Sequence, residues 1–319
     1  VDATNKHQAA TSNKPALLNH RTSVKEIRHV IERGKVIKML RTGCADRRTT
    51  SWINAAALAL LMMMLPVTGA AHEYWLEPEI WQADVKQVIG IGVRNGEEFV
   101  GTPLPWDDSR FVEIEAVDAS GNRPINGRLG DYPAISIAAR TPGLLLVRLD
   151  TGQRVIEYAD VIQFSRFLEG HALGEKLARH RDRNLPLSEI RERYYRYAKT
   201  LVTVKEGGDT AEPGTANPAT KPVGQRLEIV LGNDPTKASI LPVSVFFDGD
   251  KLPLRQIELF HAVLDGTVKR TTAVTDAQGD VNIELSGAGQ YLVNVVHLTE
   301  PPDDDVHWVS HWASFTFER

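Results

Sequence analysis

Short apolar runs of strand length, each closed by Gly, Pro, Asn or Asp, recur through most of this chain. Residues 87–93, 110–117 and 143–149 form one set, and 118–122 (Asp-Ala-Ser-Gly-Asn) reads as a turn within it. A second set occupies 227–231, 241–247, 256–260, 271–274, 281–285, 291–296 and 312–317, with turns at 248–250, 276–280 and 287–289. Runs this short, with turn residues at such close spacing, fit strands of a sandwich and are too brief for ordinary helices. The fold class expected is mainly β, with two β-sandwich domains over 72–159 and 225–319.

The intervening segment 160–224 changes character. Phe164, Phe167 and Leu168, then Leu173 and Leu177, have the spacing of short amphipathic helices. Pro186–Ile190 resembles a helix start, and the basic, Tyr-rich run Arg191–Lys199 reads as its continuation, with charges spread over a solvated face. Strand character returns at Leu201–Val204, and 206–224, rich in Gly, Pro, Thr and Ala, reads as a linker. The domain reading is therefore 72–159, a helical insertion and linker at 160–224, and 225–319.

Residues 1–71 are of another kind. Residues 55–65 read AAALALLMMML, 11 apolar residues without charge. That is too short to cross a bilayer, which takes about 20, and is the length of a secretory signal's apolar centre. Arg41, Arg47 and Arg48 precede it, Pro66 ends it, and Thr68-Gly69-Ala70-Ala71 offers small residues to a peptidase. Cleavage after Ala70 or Ala71 fits equally, the latter leaving His72 first. Met39 is the expected initiator, with 1–38 an over-extension. The expected location is the periplasm.

This split governs charge and chemistry. Residues 1–71 hold 11 Lys+Arg against four Asp+Glu, whereas 72–319 hold 26 against 37. An acidic main body argues against a nucleic-acid partner, since phosphate binding needs positive potential. All four Met and the single Cys lie before residue 72. After cleavage no sulfur ligand, redox thiol or cysteine nucleophile remains. No phosphate loop, no strand-placed GxGxxG and no GxSxG is present, so no nucleotide cofactor and no catalytic residues are assigned.

The segments HEYWLEPE (72–79), ERYYRYAKTLV (192–202) and the closing VHL and WVSHWASFTFE runs resemble a bacterial periplasmic family of unknown function formerly labelled NikM-like, after a nickel/cobalt uptake component. The stretch from LPVSVFF through TDAQGD to GQYLVNVVH resembles the transthyretin-like, or carboxypeptidase-regulatory, sandwich. With these resemblances the expectation becomes two immunoglobulin- or transthyretin-like sandwiches. They imply a periplasmic accessory or carrier protein linked to nickel, cobalt or copper uptake, with a metal-uptake transporter or an outer-membrane receptor as partner. Where the family has Asp-Phe and Tyr, this chain has Glu73-Tyr74 and His311.

Metal ligation would fall to imidazole. As a first residue His72 offers its α-amine and Nδ1 to one ion, and further imidazoles complete a site for Cu, Ni, Co or Zn, with Cu(II) held most tightly. His297, His307 and His311 are the candidate partners, His307 and His311 because residues i and i+4 of a strand share a face. His171, His180 and His261 read as surface residues, and Trp75 and Trp312 as core. Two other functions stay open: an interaction or scaffold module binding a protein or glycan without metal, and a copper enzyme with an N-terminal histidine brace.

Overall fold

The computed structural model describes residues 73–206 and 217–319. His72, the apolar run 55–65 and the cleavage site lie outside the described residues. The first strands are β1 (Glu73–Pro78), β2 (Gln82–Asp84), β3 (Val88–Glu97), β4 (Val100–Leu104), β5 (Phe111–Asp118), β6 (Gly121–Pro124), β7 (Ile135–Ala138), β8 (Gly143–Thr151) and β9 (Arg154–Asp160). Helices α1 (Val161–Gly170) and α2 (Glu175–Asp182) follow, then the 18-residue strand β10 (Ser188–Lys205). The remainder is β11 (Leu227–Leu231), β12 (Ile240–Phe247), β13 (Asp250–Lys251), β14 (Gln256–Ala262), β15 (Val268–Val274), β16 (Asp280–Glu284), β17 (Gln290–Thr299) and β18 (Trp308–Glu318).

The protein is mainly β, with open, sandwich-like sheets. A large central sheet runs in the order β15-β14-β17-β18-β10-β8-β5-β6, with β2 and β9 also pairing to β10. A sheet of β1, β3, β4 and β7 and another of β11, β12, β13 and β16 complete the layers. Alternation along the central strands explains the arrangement, because successive side chains point to opposite faces. On β8, Leu145, Val147 and Leu149 enter one core with Ile89, Ile91 and Ile135, while Leu144 and Leu146 enter a second with Ile229, Val243 and Val245. Both faces are thereby buried, and each large apolar side chain removed from water contributes roughly 1.5–3 kcal/mol.

The helical reading of 188–199 is corrected: this segment is the first part of β10. It pairs in parallel with β18 from Glu192–Trp308 to Thr200–Thr316, and antiparallel with β9 and β8 on its other side. The charges that suggested a surface helix are largely interior, for Glu192, Arg196 and Lys199 are all buried. Tertiary pairing has overridden local propensity. Arg191 and Arg193 do remain at the surface or its edge, Arg193 paired to Asp303 at 2.9 Å.

The two helices form as expected, covering one end of the central sheet. Asp160 caps α1 by accepting from the backbone N–H of Ile162 and Gln163, and Phe164, Phe167 and Leu168 are buried against Tyr158, Trp308 and Trp312. His180, expected at the surface, is fully buried, with its ring bonded to the Pro186 carbonyl (2.8 Å) and to Trp308 Nε1–H (3.0 Å). His261 is likewise buried, stacked on Tyr291 at 4.1 Å. Trp75 and Trp312 are core residues, as expected. Gly101 permits the Trp75 packing, since a Cβ there would lie 2.5 Å from the indole ring.

Candidate functional site

Strand alternation brings two of the sequence-selected histidines together. On β17, Tyr291, Val293 and Val295 face the second core, and on β18 Ala313, Phe315 and Phe317 do the same. His297 and His311 extend these two rows at one end of that core, directly opposite each other in the antiparallel register. Directly paired residues share a face, with Cβ atoms about 5 Å apart. Phe247, at the end of β12, meets both imidazoles edge to face, at 4.6 Å from His297 and 4.9 Å from His311. From β10, Tyr195 and Tyr197 lie parallel to the His311 ring at 5.4 and 6.1 Å.

The polar atoms of this pair are only partly satisfied. Tyr197 Oη is 3.3 Å from His311 Nδ1. His311 Nε2 and His297 Nδ1 are buried and have no hydrogen-bond partner among the described residues. Burial pushes His297 down to about 3 and His311 to about 4, with Arg255 and Arg226 respectively adding repulsion. Both rings are neutral at physiological pH, and each carries a nitrogen able to present a lone pair. Arg226 is bonded to Asp248 at 2.6 Å, with its guanidinium 5.3 Å from the Phe247 ring centre.

This arrangement fits a transition-metal ion in part. Neutral imidazole suits Cu, Ni, Co and Zn, and a contact from Tyr197 to the far nitrogen is the sort of support that orients a ligating histidine. Among the described residues no group of three His, Cys, Asp or Glu side chains surrounds one point. His307 stands apart: its Nδ1 accepts from Arg191 N–H at 2.8 Å, and its carbonyl accepts from Arg183 at 3.0 Å. It lies just before β18, where strand alternation does not yet apply. Glu73, next to the undescribed His72, interacts electrostatically with Glu258, Glu97 and Arg196.

Sequence reasoning missed a polar network on the opposite face of the central sheet. Glu192 accepts from Tyr158 Oη at 2.9 Å and from Ser310 Oγ, whose oxygen in turn accepts from Trp312 Nε1–H at 3.0 Å. Burial raises both Glu192 and Glu73 to about 7. Further along, Glu258 accepts from Asn294 at 2.7 Å and from Arg270, with His171 3.5 Å away. Only the alternation of Glu192, Tyr194 and Arg196 within β10 signalled it, and that became visible once the segment was a strand.

These features define a class: a layered β-sandwich protein with buried polar and imidazole groups set into its central sheet. The chain belongs to the DUF4198 family, a domain of unknown function, whose family model matches residues 69–299. No curated protein matches it. Solved structures similar to it include the D0–D1 domain of intimin, at 13% identity over 76% of this chain and 96% of that one, with a TM-score of 0.19. Another is a tetra-tandem repeat in the extending region of a large adhesion protein, at 15% identity over 77% of this chain and 49% of that one, with a TM-score of 0.19.

Proposed function

We propose that this protein is an exported metal-ion carrier or accessory protein that takes Cu(II), Ni(II), Co(II) or Zn(II) as cargo through His297 and His311. The observation that carries this reading is the facing pair of neutral imidazoles with an orphaned nitrogen on each ring. A buried polar atom without a partner costs about 1–3 kcal/mol, and a bound cation would offset that cost at both rings. Remaining coordination positions would be filled by water or by the partner that receives the ion. Export is supported by the charge-flanked apolar run at 55–65.

The test is calorimetric titration of the metal-free full chain with each of the four ions, repeated on His297→Gln, His311→Gln and His307→Ala. Affinity should follow the divalent series, with Cu(II) tightest. Either Gln substitution should weaken binding tenfold or more, and His307→Ala should leave it unchanged. Binding equal in wild type and in both Gln variants would overturn the reading, as would no binding in the wild type. Recovery from the periplasm of a chain beginning at Ala71 or His72 would support export; recovery of only the full-length cytoplasmic chain would refute it.

A further inference from the structure

Among the described residues Arg196 is a buried cation without a counterion. It sits on β10 at 7% exposure, and its guanidinium lies 4.2 Å from the Trp312 ring centre and 5.1 Å from that of Tyr194. Its Nη1 is buried with no hydrogen-bond partner among the described residues, and no described carboxylate comes within ion-pair distance. Glu73 and Glu192 influence it only through space. Burial lowers Arg196 to about 10, so it stays charged at neutral pH. Buried charges are normally paired, because leaving one alone in a poorly solvated site is strongly unfavourable. Stacking between two aromatic faces supplies part of the compensation, but it leaves Nη1 without a described acceptor.

Arg196 lines a cleft of about 80 Å³ that opens to solvent. Buried Arg196 forms its inner end, while the exposed Arg110 and Arg154 stand at the mouth. Arg110 is neutralised by Asp107 at 2.9 Å, whereas among the described residues Arg154 donates only to Ser109, at 3.2 Å to both its carbonyl and its hydroxyl. Tyr74 also lines the cleft, its hydroxyl buried without a partner among the described residues and held protonated by burial, so that it is a donor. Leu104 and the Tyr194 ring supply apolar wall. The cleft thus combines net positive charge and a hydrophobic side with two donors, Arg196 Nη1 and Tyr74 Oη, buried in its wall and unsatisfied by any described residue. A planar guanidinium matches a carboxylate through two parallel bonds, and pockets for small molecules combine an apolar wall with a few fixed polar groups.

We propose that this cleft is a binding site for a small organic acid, whose carboxylate meets Arg196 and Tyr74 and whose carbon skeleton lies against Leu104 and Tyr194. Arg154 attracts the anion and contacts it at the mouth. The site is independent of the His297–His311 pair, so either assignment can fail without the other.

The probes are acetate, succinate, citrate and benzoate, with inorganic phosphate and sulfate as oxyanions lacking a carbon skeleton. Binding to the metal-free full chain is followed by calorimetry and by the Trp312 indole N–H resonance, which a ligand on Arg196 should shift. At least one organic acid should bind, Arg196→Gln should abolish that binding, and exposed Arg154→Ala should weaken it about three- to tenfold while leaving the thermal midpoint unchanged. If Arg196→Gln fails to fold, the Arg154 variant and the resonance still decide the matter. No organic acid bound, binding unaffected by Arg154→Ala, or phosphate bound as tightly as every organic acid would each overturn the assignment.

Discussion

Lowering the pH from 7 to 5 should destabilise the folded protein through His297 and His311. In an unfolded chain each imidazole titrates near 6.5, whereas burial holds them at about 3 and about 4 in the fold. Between those values the unfolded chain takes up protons that the folded protein refuses, so stability falls as pH falls. At pH 5 the unfolded imidazoles are almost fully protonated and the folded ones still neutral. The penalty is about 2 kcal/mol for each ring, or about 4 kcal/mol for the pair, relative to pH 7. Urea denaturation of the full chain at both pH values, for wild type and for the double variant His297→Gln/His311→Gln, measures it. The amides do not titrate, and whatever they cost in packing cancels between the two pH values, as do the other titrating groups. The variant should lose about 4 kcal/mol less than wild type on acidification. Equal losses would show that the rings are not held neutral by burial, and would remove the physical basis of the imidazole site.

Glu192 should act in the opposite direction. Its folded value of about 7 lies above the 4.5 of an unfolded glutamate, so its contribution is complete below about pH 4.5 and is lost as pH rises through 7. Between pH 5 and 8, Glu192→Gln should therefore lose about 2 kcal/mol less than wild type in the same denaturation assay. Lys199 and Glu228 form a fully buried ion pair at 2.9 Å, and Glu228 also accepts from the backbone of Val223, Gly224 and Gln225. Lys199→Met should cost about 3–5 kcal/mol by leaving that carboxylate without its cation, and adding Glu228→Leu should cost less than the sum of the two single changes. Gly101→Ala, which puts a Cβ 2.5 Å from the Trp75 ring, should lower the thermal midpoint, at a cost of about 1–3 kcal/mol in calorimetry.

The regular strands were legible because their signal is local. Residues 227–231 are β11 as read, and 110–117, 143–149 and 241–247 fall within a residue or two of β5, β8 and β12. The first helix was equally clear, since Phe164, Phe167 and Leu168 declare one buried face. β10 was not legible. A strand buried on both faces loses the apolar–polar alternation, and here the interior positions carry Glu192, Arg196 and Lys199. Their partners, Ser310, Trp312 and Glu228, lie 29 to 118 positions away. The site was half legible for the same reason. His297 and His311 were marked as imidazoles in a chain body without sulfur, but only the β17–β18 register sets them face to face, and only their surroundings leave His307 engaged elsewhere.

The parallel seam between β10 and β18 has a consequence for how the molecule is made. Its nine matched positions join stretches of chain more than a hundred residues apart, at the middle of the largest sheet. Long-range pairing of this kind is slow, because the loop between must be ordered before any contact rewards it. The second core cannot close until β18 is present, since β10 supplies Tyr197 and Leu201 to it and β18 supplies Ala313, Phe315 and Phe317. A growing polypeptide of this design therefore leaves its second core unfilled, with Leu144, Leu146, Tyr197 and Leu201 uncovered, until β18 has emerged.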